Sequence, residues 1–217
     1  MAKSVHTHFF PVLDLMINDA IEETAAQGEH ISCHKGCAHC CHLLIEITWE
    51  EALFMVDWIA QLPACQKQDF IMRIQRNAAM ARDFFTTQTG ASAYAQPVEG
   101  DVDLADEIYD AYFYEEKRPC PMLDQDGVCG AYSVRPSPCR LHVVTSPAKY
   151  CSADKAFIDA EVETPAAMET VTEEAGTILN RIERDPRWGH FGIVLEAALI
   201  ESGLIETTRP QAVEIVS

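Results

Sequence analysis

Residues 32–41 read SCHKGCAHCC and residues 120–140 read CPMLDQDGVCGAYSVRPSPCR. Together they hold seven of the nine cysteines in a chain of 217 residues. Cys33, Cys37, Cys40 and Cys41 are set too densely to be four unrelated small hydrophobes of a core. A secreted disulfide framework is also a poor fit, because the count is odd and the cysteines are clustered. The opening stretch MAKSVHTHFFPVLDLMINDA breaks its apolar run at Pro11, Asp14, Asn18 and Asp19, unlike a secretory leader. A reducing cytoplasm is the expected setting, and there crowded cysteines are metal ligands or redox groups.

Ligation would place severe demands on these residues. Sulfurs around a tetrahedral zinc ion lie ~3.8 Å apart, whereas one straight helix would separate Cys33 from Cys40 by ~10.5 Å along its axis. Gly36 offers a turn through positive φ, so a loop is expected over about 31–36. A short helix from near Cys37 would then set Cys37 beside Cys40 and Cys41, its N-terminal end lowering the thiol pKa. The side chains of Cys40 and Cys41 would diverge by ~100° on such a helix, which makes a single ion shared by both awkward. In the second stretch, Asp126-Gly127 between apolar residues signals a tight hairpin over 120–130 that brings Cys120 close to Cys129.

Elsewhere the chain reads as helices. Pro11 at a first turn and Gly28 at the end bracket a helix over 11–27, and Thr48 with Glu51 forms a capping-box pattern that opens one over 48–62. Apolar residues at intervals of three and four predict helices over 66–87 and 102–117, separated by the polar GASAYAQPVEG. Two more are expected over 164–185 and 188–202, followed by a poorly ordered tail. The fold class is therefore mainly α: one small helical domain over 1–217, with a short β-hairpin and loops organised around a cysteine-rich metal site spanning about 31–142, and C-terminal helices over 164–203.

Composition narrows the partners. With 48% hydrophobic residues the chain can build a real core, and its net charge of −18 repels phosphate backbones and anionic lipids. Neither nucleic acid nor a membrane is expected as a partner, since no apolar run approaches the ~20 residues of a spanning helix. No protein partner can be read from the residues. Cys65 stands alone between helices and reads as an unrelated buried cysteine, while Cys151 follows Cys139 closely enough to be an eighth ligand. His30, His34, His39, His42 and His142 crowd the same region, and His34 and His142 are the first of them to examine as ligands.

Taken together, the two stretches resemble the YkgJ-like cysteine-cluster family, a domain of the CxxCxxCC type described as zinc- or iron-chelating. The resemblance rests on Cys33, Cys37, Cys40, Cys41, Cys120, Cys129 and Cys139, with Tyr132-Ser133-Val134-Arg135-Pro136-Ser137-Pro138 ahead of Cys139-Arg140. The spacing departs from the family's C-x2-C-x2-C-C in having three residues between Cys33 and Cys37. The resemblance implies a site of these seven cysteines holding zinc or an iron-sulfur cluster, of the four-iron type among others, with Tyr132, Arg135 and Arg140 in its outer layer. Flagellin lysine N-methylases carry a similar cysteine domain, so methyl transfer enters as an alternative.

Three functions then compete. The first is metal or cluster binding as such, since zinc and iron-sulfur centres both accept four thiolates. The second is a metalloenzyme with an open coordination position and a base such as Glu46 or His42. The third is an acidic interaction module steadied by structural zinc. Cys33-x3-Cys37-x2-Cys40 also matches the radical S-adenosylmethionine spacing, but that fold alternates strands with helices and almost no strands are expected here.

Overall fold

A computed structural model of the chain describes residues 5–89 and 107–206. Its first organising element is the capping box read from the sequence: Thr48 Oγ1 accepts from Glu51 N at 3.3 Å and Glu51 Oε2 accepts from Thr48 N at 3.0 Å. These bonds satisfy two of the donors that a helix start leaves open. They launch α2 (Trp49–Gln61), and after Pro63 comes the long α3 (Ala64–Thr89). Near the end of the described chain, α7 (Phe191–Glu201) carries FGIVLEAALIE, apolar on nearly every face, and so is driven inside. It packs against both α2 and α3, burying Val194, Leu195, Ala198 and Leu199 against Met55, Val56, Ile59 and Ile74.

A second helical pair lies beside the first. The helix α1 (His6–Ala26) packs on α6 (Ala166–Ile182) through Phe9, Phe10, Leu13, Ile17, Met168, Val171 and Ala175. Its start corrects the expectation of a helix beginning at Pro11. Burying Phe9 and Phe10 extends the helix one and a half turns toward the N-terminus, outweighing the one hydrogen bond that an internal proline removes.

The expected helix over 102–117 is helical from 107, and its Ala111–Glu116 part, α4, has the wider π-helical winding. Its expected start at 102–106, the polar break at 90–100 and the tail beyond 206 lie outside the described residues.

Two further expectations are corrected. Residues 188–190 are not the start of the last helix: β2 (Trp188–His190) pairs antiparallel with β1 (Glu46–Thr48), in the register Glu46 to His190 and Ile47 to Gly189. Pairing across some 140 positions fixes an extended backbone that no local pattern announces. Nor do residues 37–42 form a helix. They run in three-residue turns, Cys37 N to His34 O, Cys41 N to Ala38 O and Leu43 N to Cys40 O, with Gly36 at φ 93° as the turn required. The tight turn over 120–130 does form. Gly127 N donates to Asp124 O, Gly127 takes φ 73°, and Leu123 bridges Cys129 in antiparallel sense. Among the described residues no helix is long and apolar enough to cross a membrane.

Two buried charged groups tie the loops to the helices. Glu51 reaches from α2 to accept Ser137 N at 2.7 Å, at the start of the short α5 (Ser137–Leu141) that carries Cys139. Arg140, 3% exposed, donates to Ser133 O at 2.9 Å, Arg135 O at 2.8 Å and Asp14 Oδ1 at 2.5 Å, and lies over the Phe10 ring. It thereby fastens the second cysteine stretch to α1.

Replacing Glu51 with Ala leaves two backbone N–H groups without acceptors, an expected loss on the order of 3 kcal/mol in urea unfolding. A loss below about 1 kcal/mol contradicts the role given to Glu51. A pH effect follows from His190. Burial, reinforced by Arg118 and Arg82, holds it near 3 against an ordinary 6.5, so the unfolded chain takes up the extra proton between those values. The stability His190 contributes is present above about pH 6.5 and is lost on acidification. Glu46, pushed up to about 7 by burial, contributes in the opposite sense, favouring the fold below about 4.5 and losing that contribution as pH rises. Comparing wild type with His190→Gln cancels the Glu46 effect. The wild type is expected to lose more stability than the variant between pH 6.5 and 5, and parallel urea midpoints contradict this.

Candidate metal centre

The two cysteine stretches meet. Cys120 N donates to Cys41 O at 2.8 Å, pinning the start of the second stretch to the end of the first. Around this junction six thiols, those of Cys37, Cys40, Cys41, Cys120, Cys129 and Cys139, line a single cavity of about 80 Å³. A water molecule needs some 10–15 Å³ by the same measure, so the space exceeds a single small ion. The remaining walls are apolar, Met55, Met122 and Phe191 among them, apart from Tyr132 and Arg135. No carboxylate and no imidazole is among the lining side chains.

Local structure explains how six sulfurs reach one place. The turns over 34–43 double the chain back twice within ten residues, which a helix cannot do. They also let the adjacent Cys40 and Cys41 approach the cavity together instead of diverging. The Asp124–Gly127 turn sets Cys120 and Cys129 at the ends of one short loop, and α5 projects Cys139 from the opposite wall.

Crowding so many thiols has an electrostatic cost. Burial pushes Cys120 up to about 12, Cys139 well above its ordinary value, and Cys129 up as well, with neighbouring thiols adding to the rise. Cys40 is held down instead, first by the hydrogen bond from Cys41, whose own thiol is pushed up by giving it. The balancing charge is Arg135, which lowers the cost of ionising Cys40, Cys129 and Cys139. Its guanidinium stacks 4.2 Å over the Tyr132 ring, and its Nε is buried with no hydrogen-bond partner in the protein. A buried donor of that kind beside six sulfurs suits an anionic metal-thiolate group.

Other candidates from the sequence fall elsewhere. Cys33 is not a lining residue. Its sulfur accepts from Val144 N at 3.4 Å and faces His142 O at 3.7 Å, and Cys37, Cys40 and Arg135 lie near enough to act on its thiol, which burial pushes up. Cys151 is buried, its thiol pushed up to about 12 by burial and then by Cys40, Cys33 and Cys37 nearby. Cys65 is exposed, as are His30, His34 and His39. His42 shares a shallow surface depression with His39, Lys117 and Asp154, and His142 is half-buried with its Nε2 unpartnered in the protein. Neither Glu46 nor His42 lines the thiol cavity, and Arg140 serves it only through the Ser133 and Arg135 carbonyls. The apolar walls, Met55 and Phe191 among them, carry no signal in the sequence that joins them to the cysteines.

Among the described residues no three His, Cys, Asp or Glu donors already stand gathered as a closed ligand set. The donor chemistry nevertheless fits zinc or iron: four or more thiols on one largely apolar cavity, a lining guanidinium to offset charge, and cysteine side chains that reach new positions by rotation about a single bond.

No curated protein matches the chain, and no solved structure does. A family model does match, over residues 32–164, which takes in all six cavity cysteines and also Cys33 and Cys151. That span is well over half of the chain, and it runs beyond the cysteine region expected from the sequence. The chain belongs to the CxxCxxCC family, described as a zinc- or iron-chelating domain.

Proposed function

We propose that Cys37, Cys40, Cys41, Cys120, Cys129 and Cys139 hold one polynuclear centre, either zinc bridged by thiolates or an iron-sulfur cluster. The observation that carries this reading is six thiols on one cavity roomier than a single ion. Two tetrahedral ions need eight sulfur contacts, and six sulfurs supply them when two bridge. A four-iron cluster takes four thiolates and leaves two spare. Cys33 then anchors the loop to the 142–144 segment instead of ligating.

The lining bears on what the centre does. Zinc hydrolysis needs an open position and a general base within reach, and neither a carboxylate nor an imidazole borders the cavity. Thiols, apolar walls and Arg135 instead suit a centre that stabilises the fold as zinc or exchanges electrons as an iron-sulfur cluster. This favours the binding reading over the open-site enzyme and over methyl transfer.

Anaerobic purification followed by elemental analysis is expected to give more than one metal per chain, as zinc or as iron with matching sulfide and absorbance near ~400 nm. A metal-free protein, or a single ion per chain, contradicts the proposal. Replacing Cys40 or Cys139 with Ser is expected to lower bound metal, while Cys33→Ser and Cys65→Ser leave the ratio unchanged; equal loss in all four points to the wrong ligand set. Arg135→Leu is expected to weaken metal binding about 10–100-fold in chelator competition.

A further inference from the structure

Beside the thiol cavity, and sharing Cys120 and Phe191 with it, is a much smaller one of about 10 Å³ between α3, α4 and β2. Its polar lining is Asn77, Tyr112, Arg118, Cys120 and His190. Three polar atoms of these residues, Asn77 Oδ1, which lies against Gly192 of α7, Arg118 Nη1 and His190 Nδ1, are buried with no partner in the protein. Unpartnered buried groups cost about 1–3 kcal/mol each, and three around one cavity are not an accident of packing.

The hydrogen-bond inventory closes with one molecule. The Asn77 side chain lies beside Tyr112, whose phenol burial pushes up to about 12. Tyr112 Oη and His190 Nε2 share a hydrogen bond of 2.8 Å. With Tyr112 as the donor of that bond, His190 carries its proton on Nδ1, an atom buried without a partner in the protein, and donates from there. Arg118 spends Nε and Nη2 on Glu116, at 2.8 and 2.5 Å, which leaves Nη1 as a second donor. Two donors, one acceptor and a sulfur surround a space of one-water size.

We propose that this cavity is a built site for one water molecule, which accepts from His190 Nδ1 and Arg118 Nη1 and donates to Asn77 Oδ1 and the Cys120 sulfur. The bond to sulfur matters functionally insofar as Cys120 is a metal ligand, and to that extent it rests on the reading above. Cys120 already accepts from Met122 N at 3.5 Å, so the water gives it a second donor. Hydrogen bonds to a bound thiolate reduce its basicity and, in an iron-sulfur cluster, raise the reduction potential. Among the six thiols, Cys120 thereby becomes the one whose electronics are set from α3 and β2. The π-helical winding of α4, a feature frequent at functional sites, places Tyr112 in this network.

The test is a diffraction structure of the full chain, with long-range ¹H–¹⁵N NMR of His190. A water peak within about 3.5 Å of all four atoms and a protonated Nδ1 support the proposal. A collapsed or empty cavity, or a protonated Nε2, overturns it. Both readouts apply to metal-free protein, so failure of the metal reading stays separate from failure of this one. In protein loaded with Co(II), Asn77→Leu is expected to shift the sulfur-to-cobalt charge-transfer band at unchanged stoichiometry. An unmoved band overturns the bond to Cys120, while absence of any such band in the wild type overturns the thiolate reading instead.

Discussion

Six thiols around one cavity cannot all ionise unless positive charge joins them. Two thiolates ~4 Å apart repel by about 4 kcal/mol even at an effective dielectric of 20. Arg135 is the one guanidinium among the cavity-lining residues, and Arg73 acts on Cys120 from outside it. Burial accordingly keeps Cys120, Cys129 and Cys139 as thiols, and only Cys40, supported by Cys41, is drawn toward the thiolate. On the proposed reading metal cations would supply the missing charge, and capture of metal would then be coupled to loss of thiol protons.

The rest of the fold serves that meeting place. The helices α2, α3 and α7 form a rigid apolar base against which Cys120 and Cys129 pack, and α1 with α6 forms a second. Loops alone would leave the sulfurs adrift, but Glu51 fixes the start of α5, Arg140 ties its segment to α1, and the Cys120 to Cys41 hydrogen bond joins the two stretches. Each fastening uses a backbone group or a buried charge, which holds position more sharply than apolar contact alone.

Much of this was legible in the residues. Periodicity gave the helices, Thr48 and Glu51 gave the start of α2, and Asp126-Gly127 gave the turn beside Cys129, because each is a local preference. The β1–β2 pairing was hidden because its partners are some 140 positions apart, and the start of α1 was misjudged because burial of Phe9 and Phe10 overrides Pro11. The turns at 37–42 have a different cause: convergence of cysteines is a three-dimensional demand that spacing states only in outline. Tyr112 and His190 read as core and helix start, and only their contact in space joins them to the site.

X-ray absorption at the metal edge of protein purified without oxygen tests the central claim most directly. The account predicts a first coordination layer of sulfur alone, about four per metal, with a second metal within about 4 Å. Nitrogen or oxygen neighbours in place of sulfur, or an isolated metal with no second one nearby, would contradict it.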